Sequence, residues 1–231
     1  MIFHAFLLML LVIADLFGCS RIFWSNQINK VNARTMDLYI DDKPSFLVSP
    51  RGVEKTGLAA RNPLKWISKY GSLVIAAFDG KAISEGMNEK GLAAHLLYLH
   101  DTEYETRDDR PGLANALWAQ YMLDQFATVK EALAFLDSFQ VVSVEVEGRV
   151  WPLHLCLEDS SGDSCIIEYV AGKRIVHHGQ EYTVMTNEPP YSEQIENLNR
   201  YKYFGGELPL PGDIDSRAHS HFVGDLDAAC A

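Results

Sequence analysis

Short apolar runs separated by turn residues dominate the chain from residue 20 to residue 99. Apolar and polar side chains that alternate with a period of two indicate strands with one buried face. The pattern predicts five strands, at 20–24, 32–38, 72–78, 81–84 and 92–99. Gly80, alone between the third and fourth runs, predicts a tight hairpin at that point.

The period then changes to that of a helix. From residue 111 apolar side chains recur every three or four positions, and Pro111 suits a first helical turn, so a helix is predicted at 111–126. Thr128 followed by Glu131 has the spacing of a capping box, which predicts a second helix ending at residue 139. The remaining predicted elements are strands at 151–158, 164–170, 173–177 and 182–185, and a helix at 191–204.

This order of strands, two helices, strands and a helix predicts the α+β fold class, with helices layered on antiparallel sheets. No stretch rich in Pro, Gly and Ser interrupts it, which indicates a single domain. The first strand is not followed by a Gly-rich loop, so the pattern does not favour a nucleotide-binding fold.

Composition narrows the possible partners. The 231 residues include 31 acidic and 20 basic side chains, for a net charge of −11, with 48% apolar residues. These values are typical of a globular protein, and the acidic balance argues against nucleic acid as a partner. His177 and His178 would point to opposite faces of a strand, and His219 and His221 fit a solvated tail better than a metal site, so no metal cofactor is predicted.

The N-terminal residues resemble an export signal. An apolar run at 2–14 is too short to span a bilayer and leads to small residues, which predicts a signal peptide at 1–18 and a periplasmic or secreted protein without a stable membrane span. Cleavage after Gly18 would make Cys19 the first residue of the mature chain. The alternative is a lipobox at 16–19, in which Cys19 carries a lipid, although Phe17 is bulky for that motif.

A cysteine at the N-terminus can supply both a nucleophile and a base. Its α-amine titrates near pH 8 and lies within reach of its own thiol. Such a site needs a cation for the thiolate and a carboxylate for the amine. Arg34 and Asp37 end the second predicted strand, so both could lie beside Cys19 if the first two strands pair. The alternative, which the residues alone favour, is a surface salt bridge between them.

Five segments together resemble the choloylglycine hydrolase and penicillin V acylase family. They lie at 19–24, 33–37, 85–92, 185–189 and 210–213, in the family's order, and cover nearly all of residues 19–213. The resemblance implies an αββα sandwich, in which two antiparallel sheets lie between helix layers, as in N-terminal-nucleophile hydrolases. It also implies amide hydrolysis without a cofactor, and the homotetramer typical of the relatives.

The resemblance assigns roles to individual residues. Cys19 would be the nucleophile with its free amine as base, Arg34 would stabilise the thiolate, and Asp37 would hold the amine. Asn187 and Tyr98 would form the oxyanion site, although an aromatic core residue is the alternative for Tyr98. A further residue, Trp24, would line an acyl pocket.

The implied substrate is a small N-acyl amide of the phenoxyacetyl-penicillin, conjugated bile acid or acyl-homoserine lactone type, with Tyr98 and Trp24 favouring the first. It would be cleaved through a thioester on Cys19. Two alternatives remain open: a catalytically dead member of the family, and a lipid-anchored binding protein.

The resemblance weakens near the C-terminus. The family has an arginine soon after the segment at 210–213, for which Arg217 is the candidate and His221 the competing position. Family members continue beyond this region, so the domain at 19–231 is predicted to be incomplete.

Two of the four cysteines flank a turn. A hairpin centred on residues 160–161 would place Cys156 opposite Cys165, but a shift of one residue would separate them. Two buried free thiols are therefore the favoured alternative to a disulfide.

Overall fold

Two antiparallel sheets stacked face to face form the frame of the protein. The computed structural model describes residues 18–199. In chain order the strands are β1 Ser20–Ser25, β2 Lys30–Thr35, β3 Ser45–Ser49, β4 Glu54–Thr56, β5 Lys65–Ile67, β6 Ser72–Ala77, β7 Ala82–Asn88, β8 Ala93–Tyr98, β9 Gly112–Ala114, β10 Gln140–Val142, β11 Glu145–Val146, β12 Arg149–Val150, β13 Leu153–Glu158, β14 Ser164–Val170, β15 Lys173–His178 and β16 Val184–Thr186. The helices are α1 Trp118–Gln125, α2 Val129–Ala134 and α3 Tyr191–Leu198, and 3₁₀ turns occur at Asn115–Leu117 and Leu136–Ser138.

The two sheets differ in size. The small sheet has the strand order β16-β1-β2, and the large sheet has the order β15-β14-β13-β8-β7-β6-β3, with every pair antiparallel. Strand β1 is thus the central strand of the small sheet, and the residue before it lies between the ends of two neighbours. Three two-stranded pairs, β4-β5, β9-β10 and β11-β12, lie outside these sheets.

Apolar side chains cover both faces of the centre of the large sheet. On one face α1 and α2 bury Leu96, Leu155 and Ile167. On the other face Leu97 and its neighbours pack beneath the small sheet, together with Cys19, Cys156, Ile166, Met185 and Tyr191. Helix α3 begins on this second side, where the Tyr191 backbone N–H donates to Glu168 at 3.0 Å. The predicted α+β sandwich of two antiparallel sheets is therefore confirmed.

The predicted start of the first helix is wrong. Residues Gly112–Ala114 form β9, which pairs in parallel with β10, and the helix begins only at Trp118 after a 3₁₀ turn. The backbone around Pro111 is extended because its carbonyl accepts from Gln140 N and the Gly112 N–H donates to Asn62 O. A strand partner that is distant in sequence here outweighs a local helical pattern.

The second helix begins where it was predicted to begin. The Glu131 N–H donates to Thr128 Oγ1 at 3.1 Å, and the Glu131 carboxylate accepts from the Ala127 N–H at 2.8 Å. This helix ends at Ala134 and is followed by a 3₁₀ turn rather than running to residue 139. Part of the predicted helix at 191–204 lies outside the described residues.

The strands at 156 and 165 form the predicted hairpin, but their register separates the two cysteines. Cys156 pairs with Ile166, and Cys165 pairs with Leu157, so the two thiols point to opposite faces of the sheet. Both are free and buried, as the alternative prediction held. Burial raises the pKa of Cys156 to about 12 and that of Cys165 further still.

Within residues 18–199 the longest apolar helix falls short of the length needed to cross a membrane.

Candidate active site

Cys19 immediately precedes β1 and is buried between the sheets, with 4% of its surface exposed. Its Sγ lies 4.0 Å from the backbone carbonyl oxygen of Asp37. The neighbourhood of Cys19 and Asp37 therefore agrees with the sequence analysis, although this contact is made by the Asp37 backbone. The role of the Asp37 carboxylate in holding an amine stays a prediction.

Arg34 reaches the same site from β2. Its side chain is 5% exposed, and Nη1 donates to Ser84 O at 3.3 Å and to Glu85 Oε2 at 3.4 Å. Its carboxylate partner is therefore Glu85 rather than Asp37, and the pair is not on the surface. Arg34 Nε is buried without a hydrogen-bond partner among the described residues, which leaves one N–H donor to be satisfied.

Asn187 links Cys19 to the end of β8. When its amide is oriented to satisfy both neighbours, Oδ1 accepts from Cys19 N and Nδ2 donates to Tyr98 O, each at 3.2 Å. An amide nitrogen carries two N–H groups, so one remains available for a substrate oxygen. Gln194 of α3 donates to Pro189 O at 2.7 Å and to Thr186 O at 3.3 Å, which holds the segment carrying Asn187.

The phenol of Tyr98 borders the same space and is only partly buried. Burial, followed by the nearby Glu188 carboxylate and Tyr39, raises the pKa of Tyr98 above its ordinary value. The phenol is therefore neutral at physiological pH and can act as a hydrogen-bond donor. Its predicted place in the oxyanion site stays a prediction.

A cleft of about 600 Å³, including the part open to solvent, connects these groups. Its walls are mostly apolar and include a few polar side chains, as is usual for small-molecule sites. It is lined by Cys19, Arg34, Met36, Leu38, Ala77, Phe78, Ala82, Ile83, Ser84, Leu96, Tyr98, Asn115, Ala116, Val146, Trp151 and Leu153.

Two aromatic rings form one wall of the cleft. The rings of Phe78 and Trp151 pack against each other at an angle of 38°, with centroids 5.2 Å apart. Phe78 and Asp79 both have left-handed backbones, with φ of 55° and 56°, in the hairpin that Gly80 was predicted to form. Left-handed φ is costly for a residue with a bulky side chain, so the hairpin holds the Phe78 ring at this wall against that preference.

Trp24 lies elsewhere. It is on the outer face of the small sheet, opposite Val31 in the register, with 52% of its surface exposed, and it is not among the cleft-lining residues. Its contact with an acyl group stays a prediction. Arg217 and the competing His221 lie outside the described residues.

A buried chain of charged groups between the sheets was missed by the sequence analysis. His95 Nδ1 lies 3.0 Å from Glu85 Oε2, and His95 Nε2 lies 2.7 Å from Glu158 Oε1. Glu158 is also paired with Arg21, and Glu85 with Arg34. The available signal was His95 itself, a polar residue at an inward position of the apolar run at 92–99.

The two carboxylates of this chain are ionised despite their burial. Burial alone would raise the pKa of Glu158, but Arg21 and His95 outweigh it and lower that pKa. Burial likewise opposes ionisation of Glu85, whose pKa is lowered by the hydrogen bond from His95 and by Arg34.

The described residues contain no group of three or more His, Cys, Asp or Glu side chains that could hold a metal ion.

The chain is similar to known proteins in both sequence and fold. The chain is 43% identical over 221 residues to the penicillin V acylase of Pectobacterium atrosepticum, covering 89% of this chain and 58% of that protein. It superposes on the structure of penicillin V acylase from Agrobacterium tumefaciens with a TM-score of 0.76 and 40% identity, covering 88% of this chain and 63% of that one. A conjugated bile acid hydrolase from Clostridium perfringens shares the fold, with a TM-score of 0.72 and 22% identity, over 91% of this chain and 72% of that one.

The chain thus spans about three fifths of the length of the two penicillin V acylases. Residues 19–224 match the family model for linear amide C–N hydrolases of the choloylglycine hydrolase family. The match begins at Cys19, the residue around which the cleft is built. The chain therefore belongs to the choloylglycine hydrolase family.

Proposed function

We propose that this protein hydrolyses a linear amide bond of a small N-acyl substrate, with Cys19 as an N-terminal nucleophile. One observation carries the proposal. Cys19 and Arg34 line one apolar cleft, and the amide of Asn187 lies 3.2 Å from the Cys19 backbone nitrogen, although the three residues come from separate parts of the chain.

Before catalysis, removal of residues 1–18 converts the backbone N–H of Cys19 into a free α-amine. That amine takes the thiol proton, and the sulfur attacks the carbonyl carbon of the substrate amide. The negative charge that develops on the carbonyl oxygen is stabilised by the free N–H of Asn187, with Tyr98 as the second contributor.

The leaving amine then receives the proton, and the acyl group stays on sulfur as a thioester. Water, deprotonated by the same α-amine, attacks the thioester and releases the acid. Arg34 stabilises the thiolate at the start and the end of the cycle. No cofactor takes part in this sequence.

The substrate class follows from the cleft walls and from the relatives. Apolar walls with a Phe78–Trp151 pair suit a flat or aliphatic acyl group. The two relatives at 40% and 43% identity are named penicillin V acylases. Phenoxyacetyl-penicillin is therefore the preferred substrate, ahead of conjugated bile acids and acyl-homoserine lactones. Removal of the leader accompanies export to the periplasm or the medium.

The test begins with the intact mass of the exported full chain, before and after treatment with iodoacetamide at neutral pH. In the Cys230→Ser background we expect a mass for residues 19–231, fast alkylation that is lost in Cys19→Ser, and hydrolysis of penicillin V that is also lost in that variant. A retained leader would contradict the mechanism, because no free amine would adjoin the thiol. A lipid-sized increment on Cys19 would support the anchored alternative. A processed, alkylated chain without turnover of any of the three substrate types would support the catalytically dead alternative.

A further inference from the structure

Five ionisable side chains form a continuous buried row between the two sheets. In order they are Arg21, Glu158, His95, Glu85 and Arg34, and they belong to β1, β13, β8, β7 and β2. Arg21 and Arg34 face each other across the register of β1 and β2. The two ends of the row therefore lie side by side on β1 and β2, and Cys19 immediately precedes β1.

His95 occupies the middle of the row and is 6% exposed. Each of its ring nitrogens lies within 3.0 Å of a different carboxylate oxygen. A carboxylate can only accept, so both nitrogens must carry a proton, and the ring is an imidazolium. Burial alone would lower the pKa of His95, but Glu158 and Glu85 outweigh it and raise that pKa.

The charges of the row do not cancel. Three cations and two carboxylates leave a sum of one positive charge. The same Glu85 oxygen serves both His95 and Arg34, and it lies closer to His95, at 3.0 Å against 3.4 Å. Glu85 is therefore shared, and the Arg34 guanidinium that lines the cleft is only partly neutralised.

We infer that His95 is a positioning residue, which holds Glu85 away from full pairing with Arg34 and so keeps a surplus positive charge beside the Cys19 thiol. The inference rests on the proposed function, since it names what sets the reactivity of the same nucleophile. If His95 lost its proton, the row would sum to zero and Glu85 would pair with Arg34 alone. The other ionisable groups next to His95 are Arg21 and the Cys156 thiol, which donates to the His95 backbone carbonyl at 3.7 Å and is kept neutral by its raised pKa.

The test measures the rate of Cys19 alkylation by iodoacetamide as a function of pH in the full chain, with Cys230→Ser as the background. The buried Cys156 and Cys165 thiols react slowly and serve as internal references in the mass spectrum. This readout needs no substrate turnover, so it can succeed or fail independently of the proposed amidase activity.

In His95→Gln we expect the pH midpoint of alkylation to rise by roughly one unit, because one nearby positive charge is lost and Arg34 is neutralised. If the chain turns over penicillin V, kcat should fall more than KM rises. His154→Gln is the matched control. It removes another buried histidine of the same sheet face, which pairs with a single carboxylate at 3.1 Å, and should leave the midpoint in place.

A charge-restoring variant separates this role from a merely structural one. Glu85→Gln combined with His95→Gln again leaves one surplus positive charge, and should return the midpoint close to that of the starting protein. A double variant that folds but keeps the raised midpoint would overturn the inference, as would an unchanged midpoint in His95→Gln. If His95→Gln does not fold, the single variant Glu85→Gln provides the test. A lower pH midpoint of Cys19 alkylation in that variant supports the inference, and an unchanged or higher midpoint overturns it.

Discussion

The two halves of the large sheet have very different surroundings. In the half formed by β8, β13 and β14, Leu97, Cys156 and Ile166 are fully buried beneath the small sheet. In the half formed by β3 and β6, the same face carries Phe46 at 77% and Val48 at 73% exposure, and no described residue covers them. Both halves have apolar residues on this face, so the difference lies in what packs on them.

The candidate active site lies at the boundary between the covered and the bare half. Cys19 contacts the covered half, and Arg34 reaches across to Glu85 on β7, the next strand towards the bare half. A site at such a boundary has a rigid floor and an open side. This is the arrangement that a cleft for a small molecule needs.

The largest expected effect is in the covered half. Arg21→Met would leave the Glu158 carboxylate buried without its main partner, and should lower the free energy of unfolding by about 3–5 kcal/mol. Urea unfolding followed by circular dichroism measures this. Adding Glu158→Gln removes the orphaned charge and should recover part of the loss. An equal loss in the single and double variants would show that packing of Arg21, not its charge, matters.

A matched pair of truncations compares the halves directly. Leu97→Ala should cost about 2–5 kcal/mol of unfolding free energy, because it opens a cavity between the sheets. Val48→Ala on the bare half should cost under about 1 kcal/mol, because the side chain is already exposed. A large loss at Val48 would mean that this face is covered in solution, which would remove the contrast between the two halves.

One further effect depends on pH and concerns Glu168 in the covered half. Burial opposes its ionisation, but the hydrogen bond from His154 and the nearby His177, whose Nε2 lies 3.4 Å from a carboxylate oxygen, bring its pKa down to about 2. The folded pKa is thus below the unfolded value of about 4.3, so the stabilisation is present above about pH 4.3 and is lost as pH falls towards 2.

Glu168→Gln should therefore lower the free energy of unfolding at pH 7 by at most about 3 kcal/mol. The difference from the unsubstituted protein should shrink between pH 4 and pH 2, as seen in denaturant midpoints at each pH. A difference independent of pH over this range would contradict a charge-based role. Glu193→Gln, at a first-turn position of α3, is a control expected to stay within about 0.5 kcal/mol.

Local signals predicted much of the fold. The Thr128–Glu131 capping box correctly located a helix start, and the apolar run at 92–99 correctly located β8. Each of these patterns involves residues that are close together in the chain, so it can be recognised in a single sequence. The Pro111 prediction was wrong because the segment after it pairs with residues near 140, and such a long-range partner leaves no local trace.

The site was predictable only in part for the same reason. Cys19, Arg34 and Asn187 were identified from motifs, and the structure places Cys19 and Arg34 in one cleft and the Asn187 amide against the Cys19 backbone. His95 and Glu158 were missed because their importance depends on which strands are neighbours in the large sheet. That pairing joins β8 to β13, which are more than fifty residues apart in the chain.

The central position of β1 also determines the order of events as the chain folds. Cys19 is made near the start of synthesis, but its neighbours at 186 and 187 come more than 160 residues later. Closing so long a loop is slow compared with forming the hairpins between them. The Asn187 amide therefore reaches Cys19 as one of the last steps, and the nascent protein carries an incomplete site until the sheet of β1 receives its third strand.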